Sequence, residues 1–349
     1  MPTELASPGR RATATIREVA ALAGVSQMTV SRVMNSPGLV SAETTDRVRR
    51  AMAALSYRPN PQARGLAGGR TLYIGLVYDN PSPGYLAELL VGALRACDEL
   101  GHTLVLQDVS ADDANDPDAL ARRVAQKAID AIILAPPLSE DRAVRAALAA
   151  AGLPCVLIAP AEAGEGESLV AIDDEGAAAA MIAHLAGLGH DRIAFVGAPE
   201  GHNTGEWRRA GYLRGLAAAG LAFRPSYVGA GAFTYRSGME ATEGFLDLPE
   251  PPTAVFAAND DMAAGAVSAA HRRGLRVPED FSVAGFDDTG LATSVWPQLT
   301  TVRQPIADMA ARAVALLGDE RDRAPGSPSP QVQMDYAVVR RGSAGPVPR

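Results

Sequence analysis

The chain has 349 residues, of which 47% are hydrophobic and 21% charged, and its net charge is −8. This composition excludes a disordered or fibrous protein, and the length suits a small domain joined to a large or two-lobed one. No run of eighteen apolar residues occurs, and the start, MPTELASPGRRATAT, lacks an apolar leader. We therefore expect a soluble, cytoplasmic protein with no membrane partner, preceded by a disordered tail at residues 1–14.

The charge is divided unevenly along the chain. Residues 1–70 contain ten arginines, no lysine and four acidic residues, which gives +6 and leaves −14 for the remainder. A basic segment on an acidic body orients a polyanion toward one end of the molecule. This distribution favours DNA as the partner of the N-terminal segment.

Residues 15–35 predict two short helices joined by a tight turn. Thr15, followed three residues later by Glu18, has the spacing of a capping box, and Gly24 suits the turn. The second helix, SQMTVSRVMN, places valines on one side and polar residues on the other. Such a pair is the DNA-reading unit whose second helix enters the major groove, although two ordinary surface helices would show the same pattern.

The polar face of this second helix supplies the DNA-binding candidates. Arg32 can form two hydrogen bonds with guanine, Gln27 can do so with adenine, and Met28 can pack against a thymine methyl group. The further candidates, nearer to phosphates or at the start of the first helix, are Thr29, Ser31, Asn35 and Thr15.

A third helix and a short helical linker follow. Ser41 begins the third helix, and Asn60 and Pro61 then have the chemistry of an N-cap and a first helical position. The linker helix ends at Gly68 and is shorter than the about 12–15 residues that an isolated helix needs, so we expect it to fold on binding. Leu66 would then be free to wedge between base pairs in the minor groove.

From residue 71 to 342, apolar strands alternate with amphipathic helices. The predicted strands are LYIGLVY, TLVLQDV, AIILAPP, PCVLIA, SLVAID, RIAFVGA, SYVGAGA, TAVFAAN, FSVAGFD and a final QVQMDYAVVRRGS. Continuous apolar runs separated by helices predict parallel sheets covered on both faces, and the length predicts two similar lobes. The last residues, 343–349, are expected to form a disordered tail.

The carboxyl ends of these strands predict a ligand site in the crevice between the lobes. Polar residues at strand ends include Asp79, Asn80, Ser82, Asp173–Asp174, Asn259 and Asp287, beside Pro136–Pro137. Carboxylates and amides that converge on a cleft suit a polyhydroxylated ligand. Two other interpretations stay open: Asp260 and Asp288 could only cap the helices that follow them, and Gln304 could shape a crossover between the lobes.

Other constellations do not support catalysis or a cofactor. His184 and His190 lack metal-ligand spacing, and Cys97 and Cys155 lack the spacing of a metal or redox motif, so buried polar histidines and reduced thiols are expected. A dinucleotide loop, a P-loop and a Ser-His-Asp set are also missing from the sequence. We expect neither an enzyme, a cofactor nor a metal site.

The motifs AxLAGVSxxTVSRVxN and VSxxTxxRVxxAMxxLxYxPNxxARxLAxG resemble the LacI/GalR family of bacterial transcription regulators over about fifty residues. The resemblance implies an all-α helix-turn-helix headpiece at 15–59, a hinge helix and linker at 60–70, and a two-lobed α/β core at 71–342 that resembles periplasmic sugar-binding proteins. It also implies that Ala63 packs hinge against hinge and that Leu66 intercalates.

The same resemblance bears on base reading and on the ligand. It places Gln27, Met28 and Arg32 at base-reading positions, but Met28 departs from the usual hydrogen-bonding residues, so the operator cannot be copied from a relative. The motifs GEWRRAGY, FAANDDMAAGA, SVAGFDDTG and LTTVRQP also match the family's core. By that match the effector-binding positions are Arg208, Asn259 and Asp287, with Phe233 near the place where an aromatic ring stacks on a sugar.

The resemblance implies a repressor that binds a palindromic operator as a homodimer. A small-molecule effector is expected to control this binding, and a sugar is the first candidate. Two alternatives remain. A regulator of the same kind could respond to a purine or to a partner protein. A sugar-binding transport receptor would share the core but carry a signal peptide and no headpiece.

Overall fold

A computed structural model describes residues 15–35, 40–55, 57, 71–109, 116–160, 164, 166–199, 202–321 and 328–347. They divide into an N-terminal unit that ends at Thr71 and a larger unit that begins at Leu72. The tail expected at residues 1–14 and the hinge expected at 60–70, with Ala63 and Leu66, lie outside the described residues.

The described part of the N-terminal unit contains three short helices, α1 (Ile16–Ala23), α2 (Gln27–Asn35) and α3 (Ala42–Ala54). Each helix is too short to be stable alone, so burial of one apolar side holds the three together. One valine from each helix is fully buried in this common core: Val19, Val30 and Val48.

The starts of these helices are fixed by local side-chain caps, as the sequence predicts. Thr15 and Glu18 form the reciprocal capping box of α1, and Gly24 ends that helix with a φ of 65°. The hydroxyl of Ser26 accepts from the amide of Thr29 at 3.1 Å at the start of α2. Because each cap satisfies an amide that lacks an intrahelical partner, the boundaries follow from a few residues of sequence.

The larger unit contains two lobes. Lobe 1 has a sheet in the order β11-β5-β4-β3-β1-β2, in which every described pair is parallel. Its strands are β1 (Tyr73–Tyr78), β2 (Thr103–Asp108), β3 (Ala131–Leu134), β4 (Cys155–Ile158), β5 (Ser168–Ile172) and β11 (Gln331–Met334). Its helices are α4 (Pro83–Leu100), α5 (Pro117–Gln126), α6 (Arg142–Ala150) and α12 (Ile306–Arg321).

Lobe 2 repeats this plan with the order β12-β10-β9-β8-β6-β7, and among the described pairs only β10 with β12 is antiparallel. Its strands are β6 (Ile193–Val196), β7 (Val228–Gly229), β8 (Ala254–Ala257), β9 (Ser282–Asp287), β10 (Thr300–Arg303) and β12 (Ala337–Val339). Its helices are α7 (Asp174–Gly187), α8 (Asn203–Ala218), α9 (Tyr235–Leu246), α10 (Asp260–Arg272) and α11 (Gly290–Ser294).

Among the described elements, the chain passes between the lobes three times: from β5 to α7, from β10 to α12 and from β11 to β12. Gln304 lies in the second of these segments, which confirms the crossover interpretation. Two predicted strands need correction. The predicted strand at 226–232 is reduced to Val228–Gly229, and the predicted final strand is divided between the two sheets, with Asp335 and Tyr336 at the passage.

The expected tail from residue 343 also needs correction, because Ser343 and Gly345 are bonded into lobe 2. The Ser343 hydroxyl is fully buried, accepts from the Thr300 amide at 2.8 Å and donates to the Val283 carbonyl at 2.6 Å. The Gly345 carbonyl lies 3.0 Å from Nε2 of His190, a buried polar histidine of the kind expected. These bonds satisfy buried polar atoms of the sheet, which explains why the segment is ordered.

Candidate functional site

The exposed side of α2 carries the residues predicted to read bases. Gln27, Met28 and Arg32 are exposed, and Met28 is 64% exposed although it is apolar. Val30 and Val33 point into the core of the N-terminal unit. The helix therefore presents donors and one apolar side chain together on the face opposite its core, as a helix that enters a DNA groove does.

The other DNA-binding candidates have local roles or lie at the edge of the description. The Thr29 hydroxyl lies 2.9 Å from that of Ser26, and the Thr15 hydroxyl donates to the Glu18 carboxylate at 3.0 Å. Ser31 is half-buried, and Asn35 is the last residue of α2. Thr15 thus fixes the start of α1, and Thr29 is bonded to the residue that caps the start of the recognition helix α2.

A cleft lies between lobe 1 and lobe 2 at the carboxyl ends of their strands. Six of the seven predicted effector residues line it: Asn80, Ser82, Arg208, Phe233, Asn259 and Asp287. Asp79 does not belong to this lining and is exposed.

Arg208 is the centre of the lobe 2 wall. It is only 4% exposed, and its guanidinium donates to Asp174 at 2.9 Å and to the Ala258 carbonyl at 2.6 Å. A second carboxylate, of Asp287, lies 3.5 Å from Nη1, and the ring of Phe286 lies 3.7 Å below the guanidinium carbon. A planar cation held on several sides cannot turn, so it presents fixed donors to the cleft.

The position of Arg208 depends on close packing of α8 against α7. A Cβ on Gly211 would lie 2.2 Å from the Glu175 carbonyl oxygen, so the two helix backbones touch at this point. Asp174, the first residue of α7, is thereby brought within hydrogen-bonding distance of Arg208. Burial raises the pKa of Asp174, and the adjacent guanidinium opposes that shift.

Asp287 ends β9 in an unusual backbone conformation with a φ of 108°. Such a φ is costly for a residue with a Cβ and persists where surrounding contacts hold it, often at a binding site. The Gln304 side chain donates to its carboxylate at 2.6 Å. Burial raises the pKa of Asp287 to about 7, against the opposing effects of Arg208 and of the Gln304 bond.

Phe233 and Asn259 form a rigid aromatic corner. The amide of Asn259 donates to the Phe233 carbonyl at 3.0 Å, and its carbonyl accepts from Met262 at 2.9 Å, which caps α10. Phe233 has a φ of 55°, and His202 meets its ring edge-on with the centroids 5.6 Å apart. A fixed apolar ring beside fixed donors is the geometry that binds a sugar ring or a flat base.

Several lining residues were not predicted from the sequence. From lobe 1 they include Tyr85, in the first turn of α4; from lobe 2 they include His202 and Thr204. The GEWRRAGY motif begins one residue after Thr204, so this motif was the sequence signal that pointed to the start of α8. Tyr85 carried no signal, since a tyrosine on an amphipathic helix is usually core.

Of the two aspartates considered as simple caps, neither proves to be one. Asp260 is fully buried, where it accepts from the Thr289 amide at 2.8 Å and from the Thr301 hydroxyl at 2.6 Å. Asp288 forms ion pairs with Arg303 and Arg341 at 2.7 and 2.6 Å. Both brace the turn that carries Asp287.

Within the described ranges no helix is long and apolar enough to cross a bilayer, and no group of acidic, histidine or cysteine side chains could hold a metal ion. Cys97 is buried and Cys155 is half-buried, and the two cysteines do not form a disulfide.

Comparison with known proteins assigns each unit. Residues 15–60 match the model for bacterial regulatory proteins of the lacI family, and residues 182–344 match a periplasmic binding protein-like domain. Catabolite control protein A of Priestia megaterium is 38% identical over 306 residues, which cover 87% of this chain and 91% of that protein. The HTH-type transcriptional repressor CytR of Escherichia coli is 32% identical over 337 residues, 96% of this chain and 97% of the repressor.

Solved structures agree with this assignment. The transcriptional regulator CelR in complex with cellobiose is 31% identical, covers 95% of this chain and 99% of its own, and has a TM-score of 0.71. The Lac repressor bound to ONPG is 29% identical with the same coverage and a TM-score of 0.69. The headpiece helices, the two parallel-rich sheets and these relatives lead to one conclusion: the chain belongs to the lacI family of bacterial regulatory proteins and is a DNA-binding transcription regulator.

Proposed function

We propose that this regulator is a repressor that binds a palindromic operator as a dimer and that a small, neutral, polyhydroxylated ligand in the interlobe cleft controls the binding. The observation that carries the ligand proposal is the fixed set of Arg208, Asp287 and Asn259 beside the ring of Phe233. Such a set acts by binding and not by catalysis. The proposed DNA partner also implies a cytoplasmic location.

The charge of the cleft favours a neutral ligand over an anion. The single positive charge of Arg208 is already opposed by Asp174 and Asp287, at 2.9 and 3.5 Å. Near the cleft, lobe 1 adds the carboxylate of Glu140, which reaches Thr204, and lobe 2 adds that of Asp261, which accepts from Ser82. A phosphate or sugar acid would meet uncompensated negative charge in a low-dielectric site. A hydroxyl group, in contrast, can donate a hydrogen bond to a carboxylate and accept one from the guanidinium.

A panel of ligands tests this proposal by thermal unfolding of the full-length protein. We expect stabilisation by one neutral mono- or disaccharide, with cellobiose included, and none by its phosphate ester. At a hundredfold excess over Kd the stabilisation would be about 2.7 kcal/mol. A response to nucleobases alone would replace the sugar by a purine, and a response to sugar phosphates alone would contradict the charge argument. A panel without any response would contradict the cleft as a small-molecule site and favour a partner protein.

Dimerisation is proposed from the small size of one headpiece. A single short helix reads only a few bases, and two copies on a palindrome raise the effective concentration of the second contact. Lobe 1 carries exposed apolar side chains, Val91 and Leu94 on one face of α4 and Leu106 on the edge strand β2, which a second copy could cover. Sedimentation equilibrium at micromolar concentration checks the dimer, and a monomer there would contradict it.

The DNA-reading proposal is tested on an operator selected from random duplexes. Arg32→Ala is expected to weaken operator binding by about 1–3 kcal/mol and binding to random DNA much less, because a base contact is lost. Arg17→Ala is the matched control: it removes an exposed arginine of α1, outside the recognition helix. If both variants lose operator and random binding equally, α2 does not read the bases. A transport receptor would bind neither DNA.

A further inference from the structure

The two lobes are joined across the cleft by the carboxylate of Glu140. This residue belongs to lobe 1 and ends a single 3₁₀ turn, Leu138–Glu140, after strand β3. Its oxygens accept from the amides of Asn203 and Thr204, each at 2.9 Å, and from the Thr204 hydroxyl at 2.6 Å. All three donors belong to lobe 2. The Glu140 side chain is only 5% exposed, so the contact is sealed from solvent.

These bonds supply the N-terminal cap of α8. His202 occupies the N-cap position, and within the described residues its side chain makes no capping bond. The first amides of a helix have no intrahelical acceptor and carry the positive end of the helix dipole. A carboxylate from the opposite lobe therefore takes the place that a serine or aspartate would take in the helix itself.

The capped helix carries the ligand-facing groups of lobe 2. Arg208 lies six residues after His202, in the GEWRRAGY segment of α8, and Arg208, His202 and Thr204 all line the cleft. When the lobes separate, the first turn of α8 loses its cap, and a nearly buried carboxylate loses three donors. Closure of the lobes is thus coupled to ordering of the first turn of α8.

A second bond crosses the cleft between other elements. The Ser82 hydroxyl, at the start of α4 in lobe 1, donates to the carboxylate of Asp261 in α10 at 2.6 Å. Ser82 caps its own helix as well, since it accepts from the Tyr85 amide. Glu140 differs because it caps no helix of its own lobe: all three of its bonds cross to α8 of lobe 2.

We propose that Glu140 is an interlobe latch: by capping α8 it holds the lobes closed and positions Thr204 and His202 against the bound ligand. The effect on ligand affinity rests on the function proposed above, whereas the effect on closure does not. Glu140 is in this sense a positioning residue of the cleft.

The test uses the full-length protein without ligand. In Glu140→Gln, one carboxylate oxygen is replaced by an amide that cannot accept, so we expect exchange of the amides of residues 203–206 to rise about tenfold by hydrogen-exchange mass spectrometry. Small-angle X-ray scattering should show a larger radius of gyration. Thr204→Val, which removes only the hydroxyl donor, should give a smaller change of the same kind.

The matched control is Glu243→Gln, the same substitution in a carboxylate that pairs with Arg272 inside lobe 2, at 3.3 Å. It should change neither quantity. Unchanged exchange and radius in Glu140→Gln would overturn the latch, and so would faster exchange spread evenly over lobe 2, which would indicate a merely structural role. Because no ligand is present, failure of the latch is distinguishable from failure of the sugar panel.

Discussion

The two walls of the cleft differ in chemistry. Lobe 2 contributes Arg208, Asp287 and Asn259, whose side chains are each held by at least two hydrogen bonds or ion pairs, from lobe 2 or from Gln304 in the crossover segment. Lobe 1 contributes prolines, Tyr85 and two polar residues that are bonded to nearby backbone, Asn80 and Ser82.

This difference indicates a division of labour. A wall of braced charges is organised before a ligand arrives and determines which groups can bind. The largely apolar wall of lobe 1 excludes water when the lobes meet. The hydrogen bonds that Ser82 and Glu140 of lobe 1 form with lobe 2 exist only while the lobes touch. Substitutions in lobe 2 should therefore affect recognition, and those in lobe 1 closure.

The largest effect is expected from Arg208→Ala. It leaves Asp174 and Asp287 buried without their cation, which should lower the free energy of unfolding by about 3–5 kcal/mol and abolish the ligand response. Urea unfolding and the ligand panel measure the two effects. Arg209→Ala, at the exposed neighbouring position, is the control. A ligand response that survives in Arg208→Ala would show that lobe 2 does not select the ligand through this group.

The second-largest effect is expected in the pH dependence of the free energy of unfolding, through the titration of Asp287. Its pKa is raised to about 7, while the unfolded value is about 3.9. Between these values the folded state binds more protons than the unfolded state, so stability falls as pH rises and is constant above the folded pKa.

Asp287→Asn lacks this titration. From pH 5 to 7.5, wild type should therefore lose about 2 kcal/mol of unfolding free energy relative to the variant. Urea unfolding at several pH values checks this difference. If the free energies of unfolding of the two proteins change in parallel with pH, or if the wild type gains stability with rising pH relative to the variant, the pKa of Asp287 is not raised in the folded state.

A smaller effect is expected from Ser82→Ala in lobe 1. The variant loses one helix cap and one bond to Asp261, worth about 1 kcal/mol of stability, and its radius of gyration should increase. Ser41→Ala removes the cap of α3 in the N-terminal unit and should cost a similar stability without any change in the cleft. If both variants change the radius equally, the bond between Ser82 and Asp261 does not contribute to closure.

The smallest effect is expected from Asp79→Ala. Asp79 is exposed and does not line the cleft, so stability should change by less than about 0.5 kcal/mol and ligand affinity not at all. Isothermal titration with the ligand identified in the panel checks this. A loss of affinity would restore Asp79 to the site predicted from the strand ends.

The local parts of this protein could be predicted from its sequence because their causes are local. The caps at Thr15, Ser26 and Ser41 act over three residues, and the runs of apolar residues that form the sheets are continuous. The strand-end rule found Asn80 and Asp287 without any knowledge of packing. The same rule also gave Asp79, which does not line the cleft, since sequence does not show which of two adjacent side chains faces the crevice.

Only the tertiary structure decided which distant residues meet. Glu140 and Thr204 are 64 residues apart, and Ser343 joins Val283 and Thr300 across 60 and 43 residues, so no short pattern marks these pairs. The final segment was likewise divided between two sheets by the position of the lobes and not by any break in its apolar pattern. Periodicity and capping chemistry thus predicted the elements, whereas the resemblance of the motifs to a known family implied the family and most of the candidate ligand groups of lobe 2. The contacts between lobes depend on how the elements pack, and that packing is fixed by the whole core.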